Sequence, residues 1–441
     1  MFAMGSLLQS AVGGEPVAVG VARVDITPGY PIRLTGYAAR KTESEGVFQK
    51  LWAKAIAIGA GKDASILITV DNCGVCANVT EEVARRLKEK AGLPRERLAV
   101  CSSHTHSAPC IVGFAPNIFA QPIPPEQLAT IERYTRELTD GMERAALDAL
   151  AARKPSRLTW SEGSVGFAGN RRTAGGPVDH SLPVLVVRDL EGKVRALLAN
   201  YACHCTTLGS GMNKTCGDWA GFAQEEIESQ MPGVIALVSI GCGADSNPAP
   251  RGGPDAGVGW AKKHAQALAA QVKRLVENKG IGLEAAPDCI FKRIELPYKK
   301  HFTRSEWEAR AKESGIVGYH AQQYIARLDK GETLPLTLPY AVQSWRFGNQ
   351  LTMVFLAGEV VVDYALRLKL ELDAERIWVT AYANDVPCYI PSKRILNEGG
   401  YEAMDSLWYY GRPAQLAPEI EDLIIETVKK MVPPEFHADP K

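Results

Sequence analysis

Apolar positions along this chain come in short runs whose spacing switches between two periods. Val17–Val24 alternates as a half-buried strand does and stops at Asp25-Ile-Thr-Pro28, a turn signal. Leu51–Ile58 and Ala64–Val70 predict two strands joined through Gly59–Lys62, a hairpin with glycine in its turn. The period then lengthens, and Thr80–Ala91 predicts an amphipathic helix capped by Thr80. Leu98–Cys101 predicts a short strand feeding a loop rich in Ser, His and Pro, Ser102–Phe114, and Pro124–Ala151 predicts a long helix. Beyond it, Val184–Val187, Leu197–Tyr201, Val234–Ile240 and Thr352–Phe355 read as buried strands, whereas Ala220–Ser229 and Gly259–Asn278 read as helices. Ser305–Leu328 is charged and mostly helical in pattern, as an inserted surface segment would be, and Pro418–Met431 predicts a terminal helix with proline in its first turn. Strands interleaved with helices predict an α/β fold, a mixed-sheet layered catalytic domain with flanking helices. No internal repeat or low-complexity linker is visible, so the expectation is one domain over residues 17–441 behind a leader at 1–16.

Composition mainly excludes. The chain has 50 basic and 50 acidic residues and no basic run, so nothing recommends nucleic acid as a partner. No apolar stretch reaches the roughly 18 residues of a membrane helix. Residues 1–16 lack the basic start and full apolar core of a secretory signal, and read as a leader or the remnant of one. The compartment is therefore left open between cytoplasmic and secreted or periplasmic, and nothing specifies an oligomeric state. Ten cysteines in 441 residues are no disulfide scaffold, and the single Cys73-x-x-Cys76 sits in a strand-like run, so buried reduced thiols are expected.

The candidate chemistry lies where strand-like runs enter loops. In Ser102-Ser-His104-Thr-His106-Ser, an extended backbone would turn His104 and His106 to one face. Two imidazoles on one face suit a metal or a proton shuttle. In Tyr201-Ala-Cys203-His204-Cys205, an apolar strand delivers His204 to a sheet edge, with both flanking cysteines turned away into the core. Two glycine-rich acidic turns carry Asp218 and Asp245, each a candidate to orient a ligand histidine or to close a turn. Glu359, just past the strand Thr352–Phe355, places a carboxylate where burial is expensive unless it is paired or bound to a metal.

Taken in order, these elements resemble the catalytic domain of the neutral/alkaline (non-lysosomal) ceramidase family. The resemblance rests on Val24-Asp-Ile-Thr27 with Leu34-Thr-Gly-Tyr37, His104-Thr-His-Ser107, Asn170-Arg171, Val178-Asp179, Tyr201-Ala-Cys-His204, Asp218-Trp-Ala-Gly221, Gly358-Glu359, and Ala383-Asn-Asp385 through Tyr389 to Tyr401-Glu402. It implies a zinc ion (Zn2+) held by His104, His204, Glu359 and Tyr389. It also implies that His106 faces the substrate carbonyl, with Arg171 and Tyr401 contacting substrate. A phenolate ligand such as Tyr389 needs the metal's charge to lower its pKa.

The chain departs from the family pattern at Ala244-Asp245-Ser246-Asn247-Pro248, where Asn247 occupies the position of the family's serine. An amide cannot act as that nucleophile, but it can hydrogen-bond a substrate or oxyanion. This argues against serine-based covalent catalysis and puts ceramide as the physiological substrate in doubt. The chain also stops soon after its last helix, so the expectation is a catalytic domain with no C-terminal β-sandwich domain. The leading expectation is a zinc amidohydrolase of a small-molecule or lipid N-acyl substrate. His106 and Tyr401 would serve the carbonyl, Asn247 and Arg171 would bind substrate, and the general base would be Asp245, Asp218 or Glu359. The alternatives are the same metal acting on an ester or a sugar-derived substrate, and a non-catalytic ligand-binding scaffold.

Overall fold

The computed structural model describes residues 15–438, so most of the expected leader at 1–16 lies outside the described residues. One supersecondary pattern occurs three times: three antiparallel strands, a helix, and a fourth strand parallel to the third. The first unit is β1 (Val17–Asp25), β2 (Trp52–Ile58), β3 (Ser65–Val70), α1 (Ala77–Ala91) and β4 (Leu98–Ser102), followed by the long α2 (Pro125–Ala151). The second is β5 (Lys154–Ser164), β6 (Ser181–Arg188), β7 (Val194–Tyr201), α3 (Asp218–Gln230) and β8 (Ile235–Ile240), followed by α4 (Val258–Glu277). The third is β9 (Asp288–Pro297), β10 (Thr337–Phe347), β11 (Leu351–Leu356), α7 (Val362–Glu371) and β12 (Ile377–Thr380). Its β9–β10 connection carries α5 (Arg304–Arg310) and α6 (Gly315–Asp329), and α8 (Lys393–Glu398) and α9 (Ile420–Met431) come after it.

The first two units join edge to edge, with Val17 opposite Ser156, into one sheet of order β4-β3-β2-β1-β5-β6-β7-β8, to which Ile281–Leu283 adds on β5. The third unit keeps its own sheet, β9-β10-β11-β12. The two sheets pack face to face and helices cover both outer faces. The period-2 alternation of strands is legible in this arrangement. Ile66, Ile68 and Val70 of β3 pack on the helical side, whereas Leu67 points inward toward Trp345, Met353, Phe355 and Trp378 of the other sheet. Because both faces are covered, β3 and β11 are buried at every residue, which explains their near-continuous apolar sequence. The indole N–H groups in this inner layer are paired: Trp345 donates to the Glu96 carbonyl (3.2 Å) and Trp160 to the Gln350 carbonyl (3.1 Å). Truncating Trp345 to alanine would cost about 3–5 kcal/mol.

Three sequence expectations are corrected. Helix α1 begins at Ala77 behind Cys76, so Thr80 is a buried first-turn residue and not the cap. Helix α9 begins at Ile420, which leaves Pro418 before the helix rather than in its first turn. The repeat is real at the level of supersecondary structure, because burial on both faces accepts almost any apolar residue and leaves no fixed sequence period. The surface segment after β9 is helical as expected, and its first helix is closed by a Thr303–Glu306 capping box.

Candidate active site

His104, His204 and Glu359 leave the C-terminal ends of strands, where α/β sheets place their sites, and Tyr389 comes nine residues past β12. In each unit one residue stands three positions past the third strand. It is Cys73 after β3, His204 after β7 and Glu359 after β11. His104 comes two past β4, with φ at +57°. This left-handed turn is uncommon for a residue with a side chain, and it redirects the ring away from the strand line. His104 and His106 therefore converge through a turned backbone, not the extended run expected from sequence. A parallel bridge between Thr105 and Cys205 draws the two histidine loops together. A short parallel ribbon sets Glu359 directly opposite Tyr389.

The result is a cluster of donor atoms. Glu359 Oε2 lies 3.1 Å from His104 Nε2 and 3.2 Å from His204 Nε2, and makes no well-directed hydrogen bond to either. The Tyr389 hydroxyl lies 3.2 Å from His204 Nε2. Donors bound tetrahedrally at about 2.0–2.1 Å from zinc would stand about 3.3 Å apart. Both histidine rings have their other nitrogen committed: His104 Nδ1–H donates to the Cys73 carbonyl (2.6 Å) and His204 Nδ1–H to the Gly243 carbonyl (2.9 Å). That fixes the tautomer and leaves each Nε2 lone pair aimed at the cluster. The backbone of His204 is held as well, its carbonyl accepting from Trp219 Nε1 (2.8 Å) and its N–H donating to the Ser246 carbonyl (3.0 Å).

The electrostatics ask for a cation. Glu359 is buried, yet its carboxyl is held well below the usual range, because burial is outweighed by the charge and contacts of His104 and His204. Burial alone would lower His104, but Cys73 and Glu359 carry it up to about 10. His204, buried and beside Arg171, stays down at about 4. A buried carboxylate needs one positive charge at this point, and a proton on His104 or a metal ion can supply it. Burial pushes the Tyr389 phenol well up, with Arg171 opposing. The donor set of two imidazoles, a carboxylate and a phenol thus fits zinc.

An open cleft of about 800 Å³ reaches the cluster through Tyr389, which lines it. His106, Arg171, Asn247 and Tyr401 all line it, together with Tyr37, Arg172 and Arg251. His106 Nε2 stands 3.2 Å from His104 Nε2. Burial and the two neighbouring histidines keep its ring neutral, well below the usual pKa. Arg171 is already engaged, with Nε 2.7 Å from Glu402 and Nη2 3.2 Å from the Tyr389 hydroxyl. Tyr401 is 43% exposed and its ring centre lies 5.4 Å from that of Tyr389. Residues Ser246–Pro248 pair with Ala168–Asn170, and strand alternation turns Asn247 into the cleft and Ser246 into the interior. Asn247 Oδ1 accepts from Thr206 Oγ1 at 3.2 Å.

The two aspartates stand elsewhere. Asp245 is wholly buried and does not line the cleft. Its Oδ1 accepts from the Val362 N–H (2.9 Å), its Oδ2 from Asn170 Nδ2 (3.3 Å), and its carbonyl from the Arg171 N–H (2.8 Å). Burial pushes its carboxyl up to about 6. This geometry corrects the expectation of a catalytic Asp245, which instead ties three segments together behind the centre. Asp218 accepts from the N–H groups of Thr207, Leu208 and Trp219 and closes the loop after His204 without a hydrogen bond to the ring of His104 or His204.

Sequence reasoning missed Tyr410, whose hydroxyl donates to Glu359 Oε1 in a short hydrogen bond. It also missed Gly36, at φ +88°, where an added Cβ would come within 2.5 Å of His106 Cγ. Gly36 lay inside a motif and offered a signal. Tyr410 offered none, because only the packed fold brings it to Glu359. All ten cysteines are free, and Cys203 and Cys205 are core residues as expected.

Comparison with known proteins bears on this geometry. The family profile described as neutral/alkaline non-lysosomal ceramidase, N-terminal, matches residues 17–239, about half of the chain. Neutral ceramidase A of Dictyostelium discoideum is 22% identical over 246 residues, a match covering 51% of this chain and 33% of that protein. The crystal structure of neutral ceramidase from Pseudomonas aeruginosa superposes with a TM-score of 0.72 at 18% identity, over 97% of this chain and 76% of that one. A ceramidase complexed with C2 gives a TM-score of 0.72 at 17% identity, over 97% and 77%. At these identities the structures establish a shared fold. Glu359, Tyr389 and Tyr401 fall beyond the profile's match, so their place in the site rests on the packing described above.

Proposed function

The chain belongs to the neutral/alkaline non-lysosomal ceramidase family, and on that premise we propose that it is a zinc-dependent hydrolase cleaving an amide (N-acyl) bond. The observation that carries the proposal is the convergence of His104, His204, Glu359 and Tyr389 beside a cleft that Tyr389 lines, with the neutral His106 next to them. When bound there, zinc would acidify a water molecule and polarise the scissile carbonyl.

The chain's own residues would do the rest. His106, neutral and facing the cleft, would stabilise the developing oxyanion through its N–H or deliver a proton to the departing amine. The Tyr401 phenol, partly exposed on the cleft wall and neutral at physiological pH as phenols are, would offer a second donor to the same oxygen. Asn247 would hydrogen-bond substrate with its amide N–H₂, since its carbonyl oxygen is taken by Thr206. Arg171, committed to Glu402 and Tyr389, would chiefly hold the Tyr389 phenol in place, and reaches substrate only through the face it presents to the cleft. Glu398 and Glu402 on the cleft wall are held by arginines, which leaves His106 as the proton carrier nearest the reacting carbonyl. The same constellation would accept an ester, because nothing in it requires a nitrogen leaving group.

Elemental analysis of the purified protein, beside His104→Ala and Tyr389→Phe, tests the metal. About one zinc per chain, lost in His104→Ala, is the expected result. A panel of N-acyl amides and matched esters then tests the bond. A protein that holds no metal after zinc is added back, or hydrolyses nothing in the panel when loaded, would overturn the proposal.

A further inference from the structure

The cleft wall specifies the character of the substrate. Three guanidinium groups face it. Arg171 and Arg172 are matched by Glu402 and Glu398, with Arg171 Nε 2.7 Å from Glu402 and Arg172 Nη2 3.1 Å from Glu398. Arg251 also lines the cleft, and among the described residues it makes no ion pair or hydrogen bond to a protein group. One guanidinium without a carboxylate partner therefore lines the same cleft as Asn247 and His106. The remaining wall is polar or backbone apart from tyrosine rings, and among the described residues no Ala, Val, Leu, Ile or Met side chain lines it. A substrate with long alkyl chains would find little aliphatic wall here to bury them against.

We propose that the substrate is a compact polar amide bearing a carboxylate, of the class of N-acyl amino acids, and that Arg251 is the specificity residue that takes the carboxylate. The inference rests on the hydrolase reading above and deepens it. A guanidinium presents two parallel N–H donors that match the two oxygens of a carboxylate, and it stays charged at any physiological pH. The amide would then lie between Arg251 and the donor cluster, within reach of His106.

The test compares N-acetylglycine with its neutral isostere N-acetylglycinamide, and both with N-acetylsphingosine. Zinc-loaded wild type, Arg251→Ala and Arg251→Lys are measured in two ways, by initial rates and by calorimetric binding. Wild type should favour the carboxylate over the carboxamide at least tenfold, mainly through KM and in the binding constant. In Arg251→Ala that ratio should fall to within about twofold, with part of it restored in Arg251→Lys. Equal treatment of the acid and the amide by wild type, survival of the ratio in Arg251→Ala, or a preference for N-acetylsphingosine would each overturn the inference. The two readings separate cleanly. A carboxylate preference in binding without any turnover would sink the hydrolase and keep the anion site, and turnover without discrimination would do the reverse.

Discussion

Tyr410→Phe should weaken zinc binding about 10- to 100-fold while leaving the fold intact. The hydroxyl of Tyr410 donates to Glu359 Oε1, and both groups are buried. Removing it strips a charged acceptor of a partner that water cannot replace. A hydrogen bond to a charged group is worth about 1.5–3 kcal/mol, and each 1.4 kcal/mol is a factor of ten. The same range is typical for groups that orient metal ligands from behind. The direction follows from competition. Without the phenol donor the carboxyl binds a proton more readily, so a metal ion must displace that proton, and the carboxylate is freer to rotate off the line toward His104 and His204. Packing is preserved, since the ring keeps its edge contact with Phe114 at 5.7 Å between centres. Zinc affinity is measured by chelator competition near neutral pH, with thermal unfolding of the zinc-free protein as the control. A zinc affinity within about twofold of wild type would refute the reasoning, as would a loss of affinity matched by an equal loss of stability in the zinc-free protein.

Three further outcomes are expected. His106→Gln should retain zinc but lose at least about 10²-fold in kcat, as loss of a positioned proton-transfer group does; full activity in the variant would remove His106 from the reaction. Gly36→Ala places a methyl 2.5 Å from His106 Cγ, at a φ that costs a residue with a side chain about 1–2 kcal/mol, so kcat should fall about tenfold or more with zinc content unchanged, and unaltered kinetics would count against the packing described. His320, buried between Trp307 and Trp408 with Nε2–H on the Arg412 carbonyl, is lowered by burial from an ordinary 6.5 to about 4. The folded state therefore binds fewer protons than the unfolded chain between those values, and stability contributed by the neutral ring is full above about pH 6.5 and lost as pH falls toward 4. The loss amounts to about 3 kcal/mol. Urea unfolding of wild type and His320→Gln across that window should show a shallower acid loss in the variant, and parallel curves would contradict it.

The extent to which the site was legible follows from how local each signal is. His104, His204 and Glu359 each stand within three residues of the end of an apolar run, so chain-local pattern was enough to single them out. Asn247 and Ser246 were distinguishable for the same reason, since alternation along even a short strand sends neighbours to opposite sides. Tyr389 needed the family resemblance, because nothing near it in the chain announces that a parallel ribbon will set it opposite Glu359. Asp245 misled, because an acidic residue in a glycine-rich turn looks the same whether its carboxylate faces a cleft or, as here, accepts from the Val362 and Asn170 N–H groups.

By itself, the sequence determined the elements and the inventory of donors, because hydrophobic period, turn residues and strand ends act over a few residues. The tertiary structure alone decided which donors meet. The join of β1 to β5, the stacking of two sheets and the bridge between Thr105 and Cys205 bring together residues hundreds of positions apart. It also decided that the pattern occurs three times over, a repeat hidden in the sequence because a strand covered on both faces demands apolar bulk but no particular residue.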